Sequence, residues 1–411
     1  MEMKKYKLSE IGEIRMCKRI LKEETNSVGG VPFFKIGTFG GQADVFITKE
    51  KFKEYKNAYS YPKKGDILIS AAGTIGRTVV FDGKDAYFQD SNIVWIENDE
   101  SKVLNEYLFY CYKNIRWTTS VGSTILRLYN DDIRNTDIIV PHLSEQKKIS
   151  SVLSSLDDKI ALNKKINAKL EAMAKRLYDY WFVQFDYPDK NGKPYKTSGG
   201  KMVWNEVLKR EIPEGWEVKK LGEVVELLKD GTHNPPSRVE NGIALLTGTM
   251  FGENFLDYTK ATYIAKEDYF IIHSKYEPLE NDIIITKIGT LGNINILRDI
   301  DIPIAIHCNS ALLRFQNTFG FYYPFFFCKS ALFQLRLKSV KGQSIQEFAS
   351  LDKIASILCE IPKDEILISF NKTVKPIMKQ MIRISKEIKK LTDLRDRLLP
   401  LLMNGQVEVE G

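Results

Sequence analysis

Apolar runs of membrane length are missing from this chain of 411 residues. Its most apolar stretch, Phe319 to Cys328, is about half as long as a spanning helix requires. The basic start Met1-Glu2-Met3-Lys4-Lys5-Tyr6 has no apolar segment behind it, which argues against a signal peptide. A soluble, cytoplasmic protein is the expectation. Cysteine is scarce too: five residues (Cys17, Cys111, Cys308, Cys328, Cys359), odd in number and never in a Cys-x-x-Cys pair. That excludes a disulfide framework and a zinc site and leaves reduced, small apolar side chains. The four histidines, His142, His233, His273 and His307, show no ligand spacing, so no metal is assigned.

Complete catalytic fingerprints are lacking as well. Gly73-Thr74-Ile75-Gly76 falls short of either nucleotide-binding motif. Asn234-Pro235-Pro236-Ser237 resembles the Asn-Pro-Pro-aromatic loop of amino-methyltransferases, but Ser237 stands where an aromatic ring would stack on a flipped base. No glycine-rich S-adenosylmethionine loop precedes it. Asp44 with Glu54-Tyr55-Lys56 has only the rough spacing of a metal-dependent nuclease, without its opening proline. A self-sufficient methyltransferase or nuclease is therefore the weaker reading, and a two-headed protein-binding scaffold is a third.

What the chain has is a globular composition, 43% hydrophobic and 11% aromatic, with a net charge of +7 that suits a polyanionic partner. It also has an internal repeat. Lys64-Gly65-Asp66-Ile67-Leu68-Ile69-Ser70 is echoed by Glu280-Asn281-Asp282-Ile283-Ile284-Ile285-Thr286. The glycine turn Ala72 to Gly76 is echoed by Ile288 to Gly292, at a constant offset of 216 (66 to 282, 73 to 289, 76 to 292). Ser91-Asn92-Ile93-Val94 answers Asn309-Ser310-Ala311-Leu312, and Val121 to Ile125 answers Lys341 to Ile345. The entry segments Tyr6 to Glu13 and Trp216 to Glu223 also match. Between these anchors the halves share little, as two readers of different targets would.

Each half reads as short β-branched strands followed by helices, such as Asn105 to Ile115 and Phe321 to Leu337: an α+β domain. A long amphipathic stretch follows each. The first, Ser144 to about Phe182, carries Ile160, Asn163, Asn167, Leu170 and Leu177 at spacings of three and four. The second carries Ile377, Met381, Ile384, Ile388, Leu391 and Leu398, with Arg395 as its one charged seam position. Pro376 fits a first turn, and Pro400 should kink or end the helix. Both read as coiled-coil seams in which the asparagines fix register, and the two pair with each other. The expected architecture is a pseudo-two-fold tandem repeat: two mixed domains separated by an antiparallel coiled coil. Boundaries fall at 1–143 for the first domain, 144–185 for its helix, 186–212 for a Pro/Gly/Lys-rich linker, 213–361 for the second domain and 362–411 for the second helix and tail. A helix of roughly 30 residues is about 45 Å long, somewhat more than one DNA turn of ~34 Å. Such a rod would hold two readers over separated pieces of sequence.

Several segments resemble one family. Leu156-Asp157-Asp158-Lys159-Ile160-Ala161-Leu162-Asn163, continuing to Leu170-Glu171-Ala172-Met173-Ala174 and Tyr180-Trp181-Phe182, looks like the central conserved helix of the specificity subunits of type I restriction–modification systems. Ser198 to Asn205 and Ile212-Pro213-Glu214-Gly215-Trp216 resemble the entry to their second target-recognition domain. Leu394 to Gly405 is similar to their C-terminal helix and tail. Pro141-His142-Leu143-Ser144-Glu145-Gln146 matches the lead into the first helix, where the second copy has Ile361-Pro362-Lys363-Asp364-Glu365 and no Gln. The resemblance covers essentially the whole chain. It implies a non-catalytic subunit whose two target-recognition domains read the halves of a bipartite site in double-stranded DNA. It also implies that the helices dock two adenine methyltransferase subunits, and that restriction/translocase subunits join them. S-adenosylmethionine would then belong to the methyltransferases, ATP and Mg to the restriction subunits, and no cofactor to this chain.

The residues expected to meet DNA lie on the glycine turns, where backbone N–H groups approach closely and polar neighbours supply the hydrogen-bond code. They are Thr74, Arg77, Ser123 and Arg127 in the first domain, and Lys287, Thr290, Asn293, Lys341, Gln343 and Ser344 in the second. His233 joins them from the turn Asp230 to Pro236, because the family often has Asp-Gly-Thr-His there.

Overall fold

The computed structural model describes residues 2–117, 127–252, 256–274, 276–340 and 348–409. The chain divides into two compact units, Met1–Ile160 with Lys390–Gly411, and Ala161–Lys389. Ser123, Lys341, Gln343 and Ser344 lie outside the described residues.

In the first unit the strands are β1 (Lys4–Lys7), β2 (Gly12–Met16), β3 (Val31–Phe34), β4 (Val45–Ile47), β5 (Ile67–Ser70), β6 (Thr78–Val80), β7 (Tyr87–Phe88), β8 (Ile93–Asn98) and β9 (Asp137–Val140). The helices are α1 (Lys49–Ala58), α2 (Asn105–Asn114), α3 (Asn130–Arg134) and the start of α4 (Leu143–Tyr178). An antiparallel sheet runs in the order β2-β8-β5-β6, a mixed sheet in the order β4-β3-β7, and β1 pairs with β9. Successive strand residues face opposite sides, so a strand apolar throughout must be covered twice. Ile67, Ile69, Val94 and Ile96 pack with Tyr107, Leu108, Ile149 and Leu402, while Leu68, Ile93 and Trp95 pack with Phe33, Phe52 and Tyr87.

The second unit repeats this plan. Its strands are β10 (Met202–Asn205), β11 (Arg210–Pro213), β12 (Glu217–Lys220), β13 (Val225–Asp230), β14 (Ile243–Leu246), β15 (Thr262–Ile264), β16 (Ile283–Thr286), β17 (Ile294–Ile296), β18 (Ile304–Ile306), β19 (Ser310–Phe315) and β20 (Leu358–Ile361). Its helices are the rest of α4, α5 (Leu221–Val224), α6 (Lys266–Ile272), α7 (Tyr322–Lys329), α8 (Ala331–Ser339), α9 (Leu351–Ala355) and the part of α10 (Asp364–Met403) before Lys390. The sheets run β13-β19-β16-β17, β15-β14-β18 and β12-β20, the same orders as in the first unit. Ile283, Ile285, Ala311 and Leu313 take one face, and Ile284 and Leu312 the other.

The repeat corrects one pairing read from the sequence. Ser70 lies opposite Ile93, and Thr286 opposite Ser310, so Asn92 corresponds to Asn309 and not to Ser310. A slip of one residue in a strand would turn every side chain to the wrong face. The helix expected over Phe321 to Leu337 is broken at Ser330, whose extended backbone ends α7 and whose Oγ accepts the Phe333 N–H at 3.1 Å to cap α8.

Pro376 does not sit in a first turn. Helix α10 begins twelve residues earlier at Asp364, and it runs three residues past Pro400. Pro376 and Lys372 are both exposed, so the carbonyl left without a donor can turn to water. In the second unit Asn167 Nδ2 donates to the Met381 carbonyl at 3.3 Å and to Ser385 Oγ at 3.0 Å, and the rings of Tyr178 and Phe370 lie 6.0 Å apart. Rising numbers on α4 meet falling numbers on α10: an antiparallel pair. In the first unit Asp157 meets Arg395 at 2.8 Å, and Ile149 shares a cluster with Leu402. Ile160, Asn163, Asn167, Met381, Ile384 and Ile388 are buried, while Leu170, Leu177, Ile377, Leu391 and Leu398 are half-buried.

Gln146 is buried where the chain enters α4. It donates to the Lys102 and Pro141 carbonyls and accepts the Leu104 N–H, tying down the approach to α2. The second copy lacks this Gln, and Asn371 performs the task from within α10. Its Oδ1 accepts the Tyr322 N–H at 2.9 Å, and its Nδ2 donates to the Phe319 carbonyl at 2.9 Å. The stretch 186–212 connects α4 to β12 as folded chain. β10 and β11 form a hairpin, Asp186 accepts from the Thr197 backbone N–H and hydroxyl at 2.7 and 2.6 Å, and Tyr187 stacks on Trp216. Among the described residues no helix is long and apolar enough to cross a membrane.

Candidate nucleic-acid interface

Between β5 and β6 the chain makes a tight turn whose shape is set by one hydroxyl. Ser70 Oγ donates to the Thr74 carbonyl and accepts the Arg77 N–H at 2.9 Å. Between β16 and β17, Thr286 Oγ1 does the same with the Thr290 carbonyl and the Asn293 N–H, also at 2.9 Å. Both hydroxyl residues are fully buried, so their hydrogen bonds have no competition from water. Gly76 and Gly292 close the turns with φ of +76° and +91°, and a Cβ there would collide with Trp117 and Gln334 respectively. Only glycine meets both demands.

Three further segments flank each turn. The first precedes the central strand: the Asn92 carbonyl accepts the Ala71 N–H, and the Asn309 carbonyl accepts the Lys287 N–H, both at 2.8 Å. The second re-enters at Arg127 and at Phe348, bridging to Ala72 and Ile288. The third is the loop leaving β2 or β13. In the second unit its Thr232 N–H donates to the Ile306 carbonyl at 2.8 Å and its carbonyl accepts the Cys308 N–H at 3.0 Å. The repeated framework thus gathers four polar segments on one face of each unit.

In the first unit the three flanking segments, without the glycine turn, border a cavity of about 530 Å³ whose charged lining residues are Arg19, Lys22, Lys35, Asp90 and Arg127. Four of these five charges are cationic, which suits a phosphate backbone. Thr74 and Arg77 are exposed beside the glycines, although Arg77 Nη1 also donates to the Phe39 carbonyl at 2.9 Å. Arg127 is braced on Ser91, with Nη2 at 2.7 Å from Oγ and 3.2 Å from the carbonyl.

In the second unit Thr290, Asn293 and His233 are exposed. Lys287 departs from the expectation that it meets DNA. Its ammonium lies 2.6 Å from Asp230 Oδ2 with a side chain only 4% exposed, so its charge is neutralised inside the domain. The same carboxylate oxygen lies 3.3 Å from His233 Nε2, so the pair supports the loop that carries His233. By strand register Asp230 stands where the first unit has Met16, and Lys287 where it has Ala71. One copy fills this space with an ion pair, the other with apolar side chains.

Arg19, Lys22, Lys35, Gln89, Asp90 and Asn92, with Arg238, His307 and Asn309, were not among the residues expected from the sequence, while Thr232 lies in the turn expected to face DNA. For Gln89, Asp90, Asn92, His307 and Asn309 the signal was available in the segment preceding each central strand, once Asn92 is aligned with Asn309. Among the described residues no group of three or more His, Cys, Asp or Glu is placed to hold a metal ion.

Comparison with known proteins agrees with this architecture. The family model for the type I restriction modification DNA specificity domain matches twice, over residues 1–172 and 213–394. A putative type I restriction enzyme specificity subunit of Haemophilus influenzae is 53% identical over 182 residues, covering 44% of this chain and 47% of that protein. That match thus spans about half of either protein. The MjaIX specificity subunit of Methanocaldococcus jannaschii is 27% identical over 449 aligned residues, covering 98% of this chain and 97% of that one. The crystal structure of a type I S subunit from M. genitalium superposes with a TM-score of 0.54 at 18% identity, over 98% of this chain and 96% of that one, which shows a shared fold.

Proposed function

From the fact that this chain belongs to the family of type I restriction–modification DNA specificity subunits, we propose that each of its domains reads one half of a bipartite site in double-stranded DNA. The long helices set the gap between the halves and dock two adenine methyltransferase subunits, and restriction/translocase subunits complete the assembly in the cytoplasm. S-adenosylmethionine binds the methyltransferases, ATP and Mg bind the restriction subunits, and this chain supplies recognition alone. One observation carries the reading: the two units repeat a framework to the level of single hydrogen bonds, while the side chains on the same face differ. Conserved geometry with divergent polar content is what reading two different sequences requires.

The test is to reconstitute the chain with its methyltransferase subunits and map methylated adenines on genomic DNA. A motif of two short sequences around a fixed gap is expected. The isolated chain, given S-adenosylmethionine and DNA, should transfer no methyl group. Transfer without a partner would overturn the proposal.

A further inference from the structure

Each unit closes the same small turn just before its central strand. The Ile93 N–H donates to the Asp90 carbonyl at 3.1 Å, and the Ser310 N–H donates to the His307 carbonyl at 2.9 Å. Asp90 and His307 are therefore equivalent positions on the two faces. Their neighbours correspond too. Arg19, in the loop leaving β2, approaches Asp90 at 3.8 Å, and the loop leaving β13 is bridged to His307 through Thr232.

The hydrogen-bonding capacities of the two side chains are opposite. An ionised aspartate only accepts. The histidine is fixed by its own backbone: the Asn309 N–H donates to His307 Nδ1 at 3.3 Å. A backbone N–H cannot accept, so this contact favours an unprotonated Nδ1, to which the Cys308 thiol 3.6 Å away can also donate, and places the ring hydrogen on Nε2. Burial, then Arg238 and His233, push the imidazole below its ordinary pKa of 6.5, which keeps the ring in that neutral form. Among the described residues Nε2 makes no hydrogen bond of its own.

We propose that Asp90 and His307 are specificity-determining residues that read one base position in each half-site with opposite polarity. Asp90 accepts from an amino group in the major groove, so its position favours cytosine or adenine. His307 donates through Nε2, so its position favours a base with a carbonyl acceptor, guanine or thymine. Arg19 then steadies Asp90 at long range without consuming its oxygens, and Asn309 holds the His307 ring in one tautomer.

This rests on the chain being a DNA-reading subunit, and the experiment separates the two claims. The wild-type chain, Asp90→Asn and His307→Asp are each assembled with the methyltransferase subunits, and methylated adenines are mapped. A wild type that yields no bipartite motif fails the underlying reading. With that motif in hand, Asp90→Asn should relax one position of one half-site about tenfold, because an amide both donates and accepts. His307→Asp should shift one position of the other half-site from guanine or thymine toward cytosine or adenine. A variant that assembles without methylating is scored by selecting bound duplexes from a pool randomised in both half-sites. Base preferences unchanged at every position, or both half-sites altered together by either single substitution, would overturn the inference.

Discussion

Removing the Lys287 side chain would leave Asp230 without the ammonium 2.6 Å away. Asp230 would keep only the exposed His233 ring at 3.3 Å and lose its charge-assisted hydrogen bond, so Lys287→Ala should destabilise the second unit by about 2 kcal/mol. The first unit shows the remedy, since Met16 and Ala71 occupy the same positions. Combining Lys287→Ala with Asp230→Met should recover most of the loss in a urea melt. If the double variant is no more stable than the single, the two positions are not coupled. Asp157 gives a second case, with a pH signature. Burial works to raise its carboxyl, but the Arg395 hydrogen bond and Lys113 outweigh burial and hold it below the usual carboxylate range. A depressed carboxylate contributes stability that is present above its unfolded pKa and lost as pH falls through the folded one. Asp157→Asn should therefore cost about 2 kcal/mol at neutral pH. It should also flatten the acidic limb of the stability curve, as read from melts between neutral and acidic pH. Neither pair was legible from the sequence. Arg395 announced itself as the one charged seam residue, but its partner lies 238 positions away, and no local pattern links them.

At the scale of elements, legibility followed periodicity. The two long helices were readable because a spacing of three and four persists far longer than chance allows, and their pairing followed from two coiled-coil seams that each need a partner. The strands and glycine turns were readable because they occur twice. Pro376 misled because proline was weighed as a local breaker, whereas an exposed helix face tolerates the lost hydrogen bond when packing on the other side holds the helix. Asp90 and His307 were missed because they share no residue type, and the one identity nearby, Asn92 with Asn309, lies one residue away from the alignment read in the sequence. Their equivalence follows from strand register and from the turn that the backbone hydrogen bonds close. The seam asparagines carry a testable consequence. Asn163 Nδ2 and Asn167 Oδ1 are buried without a partner among the described residues, and Asn167 spends its donor on Met381 and Ser385. Replacing both sides of that contact, Asn167→Leu with Ser385→Ala, removes polar groups without orphaning a partner. The double variant should be more stable by about 1–2 kcal/mol in thermal melts, and a lower melting temperature would show that the polar layer is net stabilising.

At the scale of the whole molecule, the proposal that the helices set the gap between half-sites has a length attached to it. Seven residues add about 10.5 Å to a helix at 1.5 Å each, or roughly three base pairs at ~3.4 Å per step. A heptad inserted at matched points of α4 and α10 preserves the seam, because the a and d positions return to the same face after seven residues. A four-residue insertion does not, and shifts the apolar stripe out of register. Methylation mapping on the assembled complex should accordingly show the same two half-sites separated by a gap about three base pairs longer after the heptad insertion. The four-residue variant should lose assembly or activity. An unchanged gap with full activity after the heptad insertion would mean that something other than helix length fixes the spacing, and the helices would then be docking surfaces only. Shortening supplies the converse arm: deleting a heptad from both helices should contract the gap by the same increment, and the two arms together give a slope that helices acting only as docking surfaces would not produce.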